Sequence, residues 1–256
     1  MCKCIFCKLR SDKKVIEHII PESFGNKEYI LKNGLVCNEC NNRFSKFEAT
    51  ALSNTVFVME RARFGIESKK GKSAKGKVGG LSIEGDKDLR PEILSIKGLN
   101  SGNVKNFDPK TKTFQIIVQT FDKSEVATSK MLLKIGMEAI FKSRIHIFLL
   151  TAFEELRDFL LTENNTDWPF MTTDFEIEKF RSIPPRRATN ILTQIHCELK
   201  FLRINRKTLL FKFKYGSIPM IINLLNRDLD WIKDISKSDK KAILYPEHFR
   251  NKLNKE

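Results

Sequence analysis

The sequence predicts an α+β fold with a small N-terminal domain, residues 1–66, and a larger mixed α/β domain, residues 81–256. Three observations support this division. Five of the six cysteines fall within the first forty residues, a Lys/Gly-rich linker follows at residues 67–80, and strand and helix patterns then alternate. With 256 residues, of which 41% are hydrophobic, the chain can bury a core in more than one domain.

The N-terminal cysteines form two pairs, and the two members of each pair are separated by two residues: Cys4, Cys7, Cys37 and Cys40. Each pair can bind one side of a tetrahedral ion, so the four thiolates predict a closed, structural Zn²⁺ site. Their clustering favours metal binding in a reducing compartment over a disulfide framework, and we therefore expect a cytoplasmic protein. Cys2 is interpreted as a bystander, with exchange for Cys4 as the alternative.

The chain between the two cysteine pairs is longer than a zinc ribbon needs, and it carries polar residues that zinc does not require. It contains two β-prone runs, residues 14–18 and 31–36. After the last cysteine, apolar residues at helical spacing predict one helix from Asn41 to about Phe64. The expected arrangement is strand, strand and helix around a zinc ion.

Three segments occur in the order found in a known family: Cys4-Ile-Phe-Cys7, Glu17-His18-Ile-Ile-Pro21 and Cys37-Asn-Glu-Cys40-Asn41. Over about residues 1–66 the chain resembles the HNH endonucleases, which have a ββα-metal core. The resemblance implies that His18 is the general base and that Glu17 and Asn41 hold a catalytic divalent ion. It further implies that Asn33 steadies the loop that carries the histidine. In this subgroup Asp often replaces Glu17, and His often replaces Asn41.

These side chains suit the chemistry that the resemblance implies. Hydrolysis of a phosphodiester needs a deprotonated water and a cation over the phosphoryl oxygens. A neutral imidazole, with an unperturbed pKa of about 6.5, can take the proton near neutral pH. One carboxylate and one amide oxygen form a hard oxygen shell that favours Mg²⁺ or Mn²⁺.

The charge of the chain indicates a polyanionic partner. The formal net charge is +15 and the pI is about 9.6, which favours nucleic acid through the release of counterions. DNA is the expected partner, and RNA is not excluded. Arg43 and Lys46 lie beside the expected metal ligand and are candidates for phosphate contact. The linker lysines either clamp the nucleic-acid backbone or only keep the chain soluble: Lys69, Lys70, Lys72, Lys75 and Lys77.

No membrane segment is expected, because the longest uncharged runs fall short of the ~20 residues that span a bilayer, and no signal peptide is recognisable. Beyond the linker, the patterns predict strands at 81–84 and 92–97, hairpins at 104–121 and 195–215, and helices at 124–144 and 151–161, with a polar, partly helical tail.

The larger domain contains no residue cluster that predicts catalysis. His146 stands among apolar residues and is interpreted as a core histidine, as are His196 and His248. The segment Lys134-Ile-Gly-Met-Glu138 resembles one that follows the nuclease core in other bacterial proteins of this subgroup, with no role assigned. The domain is a candidate for positioning or regulating the cut, through a homo-oligomer or a regulatory partner.

Two functions follow from these patterns. The first is a metal-dependent HNH endonuclease, a hydrolase that acts on DNA and is a candidate for bacterial anti-phage defence or restriction. The alternative is a non-catalytic nucleic-acid-binding protein in which the zinc knuckle is only a scaffold. The pairs Glu17-His18 and Cys40-Asn41 favour the enzyme, because a scaffold would not need both.

Overall fold

The computed structural model describes residues 2–11, 16–68, 70–100, 102–116, 120–162, 166–174, 179–184, 186–238 and 241–253. The chain forms two compact units. The first comprises residues 1–22, 26–48 and 125–256, and the second comprises residues 23–25 and 49–124. These boundaries differ from those predicted at 66 and 80, because the cysteine-rich region is grouped with the last half of the chain.

Among the described residues, the N-terminal part of the first unit contains four short strands and the start of a long helix: β1 (Cys2–Lys3), β2 (Arg10–Ser11), β3 (Glu17–His18), β4 (Ile30–Leu31) and α1 (Asn38–Leu52). Strand β1 pairs antiparallel with β2, and β3 pairs antiparallel with β4. The predicted strand, strand and helix are confirmed, although only Leu31 of the run 31–36 is in a strand and the helix begins at Asn38. Residues 14 and 15 of the first predicted strand lie outside the described residues.

The prediction of a single helix from Asn41 to Phe64 is wrong. Helix α1 ends at Leu52, and a second helix, α2 (Thr55–Arg63), follows. The Asn54 side chain donates to the carbonyl of Ala51 at 2.9 Å, and Asp122 accepts the amide of Thr55 at 2.7 Å. Because these side chains pair with backbone groups that a continuous helix would use, the helix is interrupted between them.

The part of the second unit that the structure describes contains α2 and five strands: β5 (Lys75–Val78), β6 (Leu81–Gly85), β7 (Leu94–Lys97), β8 (Val104–Asp108) and β9 (Thr113–Ile116). Strands β5, β6 and β7 form an antiparallel sheet in that order, and β8 pairs with β9. The predicted strands are found, and the hairpin predicted at 104–121 is found over residues 104–116. Residues 117–119 lie outside the described residues, and 120 and 121 are not in a strand. The Lys/Gly-rich segment 67–80 was predicted as a flexible linker, but four of its residues form β5 and pair with β6.

In the C-terminal part of the first unit, the described residues form six helices and six strands: α3 (Glu125–Ser143), α4 (Ile145–Leu149), α5 (Glu154–Leu161), β10 (Phe170–Thr172), β11 (Arg181–Ser182), α6 (Arg186–Gln194), β12 (Cys197–Arg203), β13 (Leu209–Tyr215), β14 (Ile218–Asn223), α7 (Asp230–Ser238), β15 (Ile243–Tyr245) and α8 (His248–Leu253). The strands form one antiparallel sheet in the order β11-β12-β13-β14-β10-β15. Strand β14 was not predicted, because all six of its residues are buried and show no polar alternation.

Helix α3 packs against this sheet and is buried on all sides over residues 131–140. The sequence predicted only one buried face. Gly136 permits the close approach, because a Cβ there would lie 2.9 Å from the Phe211 ring and 2.8 Å from Leu224. Lys134 and Glu138 are the two charged residues of this buried stretch. None of the described helices is both long and apolar enough to cross a membrane.

Candidate active site

The four paired cysteines converge on one point. The Sγ atoms of Cys4, Cys7, Cys37 and Cys40 all lie within 4.8 Å of one another, and those of Cys7 and Cys37 are 3.7 Å apart. A tetrahedral ion with Zn–S bonds of about 2.3 Å separates its sulfurs by about 3.8 Å. The donor set and its spacing therefore fit a structural zinc ion.

Local hydrogen bonds favour a thiolate in this cluster. The Cys40 thiol and the backbone amide of Cys37 lower the pKa of Cys4 to about 4, even though burial opposes the shift. Burial raises the pKa of Cys7 to about 11. The Cys37 amide lies 3.4 Å from the Cys4 sulfur, and the Cys40 amide lies 3.4 Å from the Cys37 sulfur. Such amides stabilise the charged sulfur that zinc binds.

The first cysteine pair and the two residues between them, Cys4 to Cys7, form a zinc knuckle that is fixed by packing and by backbone hydrogen bonds. The ring of Phe6 packs edge-on against Phe44 of α1 at 4.6 Å. The amide of Ile5 donates to the carbonyl of Leu35 at 2.9 Å, and its carbonyl accepts from Nε of Arg157 in α5 at 3.0 Å. The knuckle is therefore held by residues from both the N-terminal and the C-terminal part of the first unit.

Glu17 and His18 occupy the two positions of β3. The Glu17 residue is only 5% exposed, and His18 is half-buried. The Nδ1 atom of His18 is buried and has no hydrogen-bond partner in the described part of the protein. A buried imidazole nitrogen without a partner is unfavourable, so this atom is suited to bind a water molecule or a ligand.

A lysine from α3 reaches these two residues. Nζ of Lys134 lies 2.8 Å from a Glu17 oxygen, 2.9 Å from a Glu48 oxygen and 3.3 Å from a Glu138 oxygen. It also donates to the backbone carbonyl of His18 at 3.0 Å. The ammonium is thus surrounded by three carboxyl groups and one backbone carbonyl. We call the side chains of Lys134, Glu17, Glu48 and Glu138 the Lys134 cluster.

The Lys134 cluster contains more acidic than basic groups. Burial alone would lower the pKa of Lys134, but the carboxylates of Glu138, Glu48 and Glu17 together raise it well above its ordinary value. Burial raises the pKa of Glu138 well above its usual range. Burial thus favours the protonated form of Glu138, while Glu17 and Glu48 lie closer to the ammonium.

The sequence analysis did not assign a role to Lys134, Glu48 or Glu138. A signal was present in the helix itself, because Lys134 and Glu138 are spaced i, i+4 inside a run of apolar residues. Charged side chains in such a run need buried partners. The identity of those partners depends on the fold, since Glu17 and Glu48 lie far away in the sequence.

Asn33 is exposed in a turn, and its role in steadying the histidine loop stays a prediction. Asn26 is fully buried instead: its Nδ2 donates to the carbonyls of Ile20 at 2.7 Å and Tyr29 at 3.0 Å, and its Oδ1 accepts the Tyr29 amide at 2.9 Å. Asn26 therefore closes the loop that follows His18.

Asn41 lies in the first turn of α1, directly after Cys40, and is half-buried. The same helix lines a groove of about 390 Å³ with Arg43 and Lys46, and Lys130 of α3 lines it as well. The structure thus brings together two of the predicted phosphate contacts and adds Lys130. Glu39 lines the groove as well, so three cations face one carboxylate, and the net positive charge suits a phosphate backbone.

The predicted linker lysines belong to the second unit. Lys70, Lys72, Lys75 and Lys77 are exposed, and Lys75 forms an ion pair with Glu84 at 3.2 Å. Lys69 lies outside the described residues. Phosphate binding by these lysines stays a prediction from charge.

The three histidines of the larger predicted domain are exposed, so their interpretation as core histidines is wrong. His146 lies on α4, a short surface helix whose apolar Ile145 and Leu149 are exposed as well. Nε2 of His248 lies 3.2 Å from an Asp167 oxygen. Apolar neighbours in the sequence were a poor guide, because Phe148 of this short helix is buried while Ile145 and His146 are exposed.

The fold, the four-cysteine site and the Glu17-His18 site define a zinc-stabilised ββα domain, which a sheet-rich C-terminal region follows. Comparison with known families gives the same class: the family model described as HNH endonuclease matches residues 4–57. Over these residues the chain is similar to the HNH endonucleases, and we call this part the HNH domain. The similarity indicates nuclease activity and a nucleic-acid substrate in general terms. No curated protein and no solved structure matches the chain.

Proposed function

We propose that the protein is a metal-dependent endonuclease that hydrolyses phosphodiester bonds in DNA. The observation that carries the proposal is the pair Glu17-His18 within the HNH domain. The carboxylate is held by a buried ammonium, and the adjacent imidazole presents a buried nitrogen that has no partner among the described residues. A zinc scaffold would require neither feature, which favours the enzyme over a purely nucleic-acid-binding protein.

The residues present fit a hard divalent ion such as Mg²⁺ or Mn²⁺. Glu17 supplies a carboxylate and Asn41 supplies an amide oxygen, both of which such ions prefer. Lys134 contacts one oxygen of Glu17, and a carboxylate has about four lone-pair sites, so this contact does not use up its capacity. When bound, the ion would neutralise charge on the phosphoryl group and the leaving oxygen.

In the proposed reaction, His18 takes a proton from the attacking water. The oxygen of that water forms a bond to phosphorus, and the bond from phosphorus to the leaving sugar oxygen breaks. Glu17 and Asn41 would hold the divalent ion in place. Arg43 and Lys46 neutralise neighbouring phosphates without selecting a base sequence. A role in anti-phage defence stays a prediction.

The test is cleavage of plasmid DNA and of RNA by the purified protein in Mg²⁺, Mn²⁺ or EDTA. His18→Ala should keep its zinc and its fold and lose cleavage by roughly 10²-fold to 10⁴-fold, because it removes the general base. Near-parental cleavage by this variant would overturn the assignment of His18. Cleavage of RNA alone would replace DNA as the substrate.

A second pair of variants separates the two metals. Glu17→Ala and Asn41→Ala remove oxygen donors and leave all four thiolates, so zinc should stay bound while cleavage is lost. DNA binding in EDTA should persist, because it depends on dispersed cations. Undiminished cleavage by Glu17→Ala would show that this carboxylate is not needed to hold the catalytic ion.

A further inference from the structure

A second basic site lies on the C-terminal part of the first unit, among α4, β11 and β12. It is a pocket of about 720 Å³, and the side chains that line it include Arg144, His146, Lys179, Arg181 and Arg203. None of these residues belongs to the HNH domain or to the Lys134 cluster. The volume is within the range of roughly 300–1,000 Å³ that small-molecule sites occupy.

The cations of this pocket lack acidic partners among the described residues. Among the described residues, no carboxylate lines the pocket. Arg144 donates to the carbonyl of Ser182 at 3.1 Å, and Arg203 donates to the hydroxyl of Thr151 at 3.4 Å. The described contacts of these two guanidinium groups are therefore with neutral oxygens, which leaves their charge uncompensated.

Holding these charges together costs free energy that an anion would recover. Burial lowers the pKa of Arg203, and no acidic group opposes that shift. The planar guanidinium groups of Arg144, Arg181 and Arg203 offer paired donors that match phosphate oxygens. We propose that this pocket binds phosphate groups, either those of a nucleic-acid strand or those of a free nucleotide.

The test compares two double variants that each remove two exposed cations from the first unit. Lys179→Ala/Arg181→Ala changes the pocket, and Arg206→Ala/Lys207→Ala changes the turn between β12 and β13. Fluorescence anisotropy in EDTA measures binding of a labelled 20-base-pair DNA duplex and of a labelled ATP analogue. Because cleavage is not measured, the result does not depend on the nuclease activity.

The pocket variant should lose about tenfold in affinity for at least one probe, while the turn variant loses less than about threefold. If DNA is the ligand, the slope of log affinity against log salt should fall by about two, since two phosphate contacts are removed. Loss for ATP alone would identify a nucleotide as the source of the phosphate. Equal losses in the two variants would overturn the proposal.

A different observation concerns Lys134, and the inference from it rests on the proposed nuclease function. Helix α3 lies outside residues 4–57, which the HNH family matches. Three of the four groups around the Lys134 ammonium nevertheless belong to the HNH domain: Glu17 and the His18 carbonyl on β3, and Glu48 on α1. One buried atom thus joins the two elements that carry the candidate catalytic residues.

This connection matters because β3 has only two residues and is paired with the equally short β4. Catalysis needs its groups held to within a fraction of an ångström. We infer that Lys134 is a positioning residue that fixes the Glu17 carboxylate and the His18 backbone. Gly136 permits α3 to approach the sheet closely, and Glu138 contacts the ammonium from the next turn of α3.

The test compares Lys134→Met with Lys142→Met on the same helix. Lys142 is exposed, and its ammonium donates to the carbonyl of Ile30 without contacting a carboxylate. The readouts are turnover on DNA, the Mn²⁺ concentration that gives half the maximal rate, and Mn²⁺ binding by calorimetry in the absence of DNA. The last two do not depend on the fraction of active protein.

Lys134→Met should lower turnover by about a hundredfold or more and weaken Mn²⁺ binding by about tenfold, whereas Lys142→Met stays within about twofold. Tighter Mn²⁺ binding with turnover preserved would show that Lys134 only competes with the ion, and would overturn the inference. If Lys134→Met does not fold, Glu48→Gln removes the charge of another partner of Lys134 and tests the same cluster with a smaller change. Parental turnover and Mn²⁺ affinity in Glu48→Gln would then overturn the inference.

A parent protein without cleavage in any divalent ion would contradict the proposed function instead. The inference about Lys134 is thus contradicted only when the parent cleaves and its variants do so equally well.

Discussion

The zinc knuckle and the His18 strand lie in the same HNH domain, but different parts of the chain hold them. The zinc ligands all come from residues 4–40 and meet around one point. Glu17 and His18 are held by Lys134, which lies 116 residues beyond His18 in the sequence. A short motif can therefore specify the structural metal site, whereas the candidate active site needs a helix from the C-terminal part of the first unit.

The largest expected effect is on the knuckle. Cys40→Ser removes one of four ligands, and small zinc domains draw much of their folding free energy, on the order of 10 kcal/mol, from the metal. Zinc measured by mass spectrometry should fall from one ion per chain to nearly none, and circular dichroism should show partial unfolding. Full zinc content in the variant would show that this thiolate is not a ligand.

The next effect is on the Lys134 cluster. Lys134→Met leaves buried carboxylates without their cation, which typically costs about 3–5 kcal/mol. Urea unfolding should show this loss while zinc stays bound, because no zinc ligand is changed. Lys142→Met, at an exposed position, should cost less than about 1 kcal/mol. Loss of zinc in Lys134→Met would contradict the separation of the two sites.

The smallest effect is on the contact between α3 and the sheet. A Cβ at Gly136 would lie 2.9 Å from Phe211, and overpacking of this kind costs about 1–3 kcal/mol. The higher helix propensity of alanine offsets about 1 kcal/mol of that cost. Gly136→Ala should thus lower the urea midpoint by a small amount. An unchanged midpoint would show that α3 can shift without loss of stability.

The same contrast explains how much could be predicted from the sequence. The cysteine pairs, the ββα order and the hairpins follow from local spacing, so these predictions were confirmed. The break in the first long helix was missed because Thr55 is capped by Asp122, which is 67 residues away. The burial of Lys134 was missed for the same reason, since its partners Glu17 and Glu48 come from distant elements.

The order of synthesis gives the Lys134 contact a further consequence. A ribosome completes both cysteine pairs, Glu17 and His18 long before it adds Lys134. A nascent chain can therefore acquire its zinc early, while the Glu17 carboxylate still lacks its buried cation. With Lys134 as the positioning residue, the emerging HNH domain stays catalytically incomplete until α3 has been translated and has folded against the sheet.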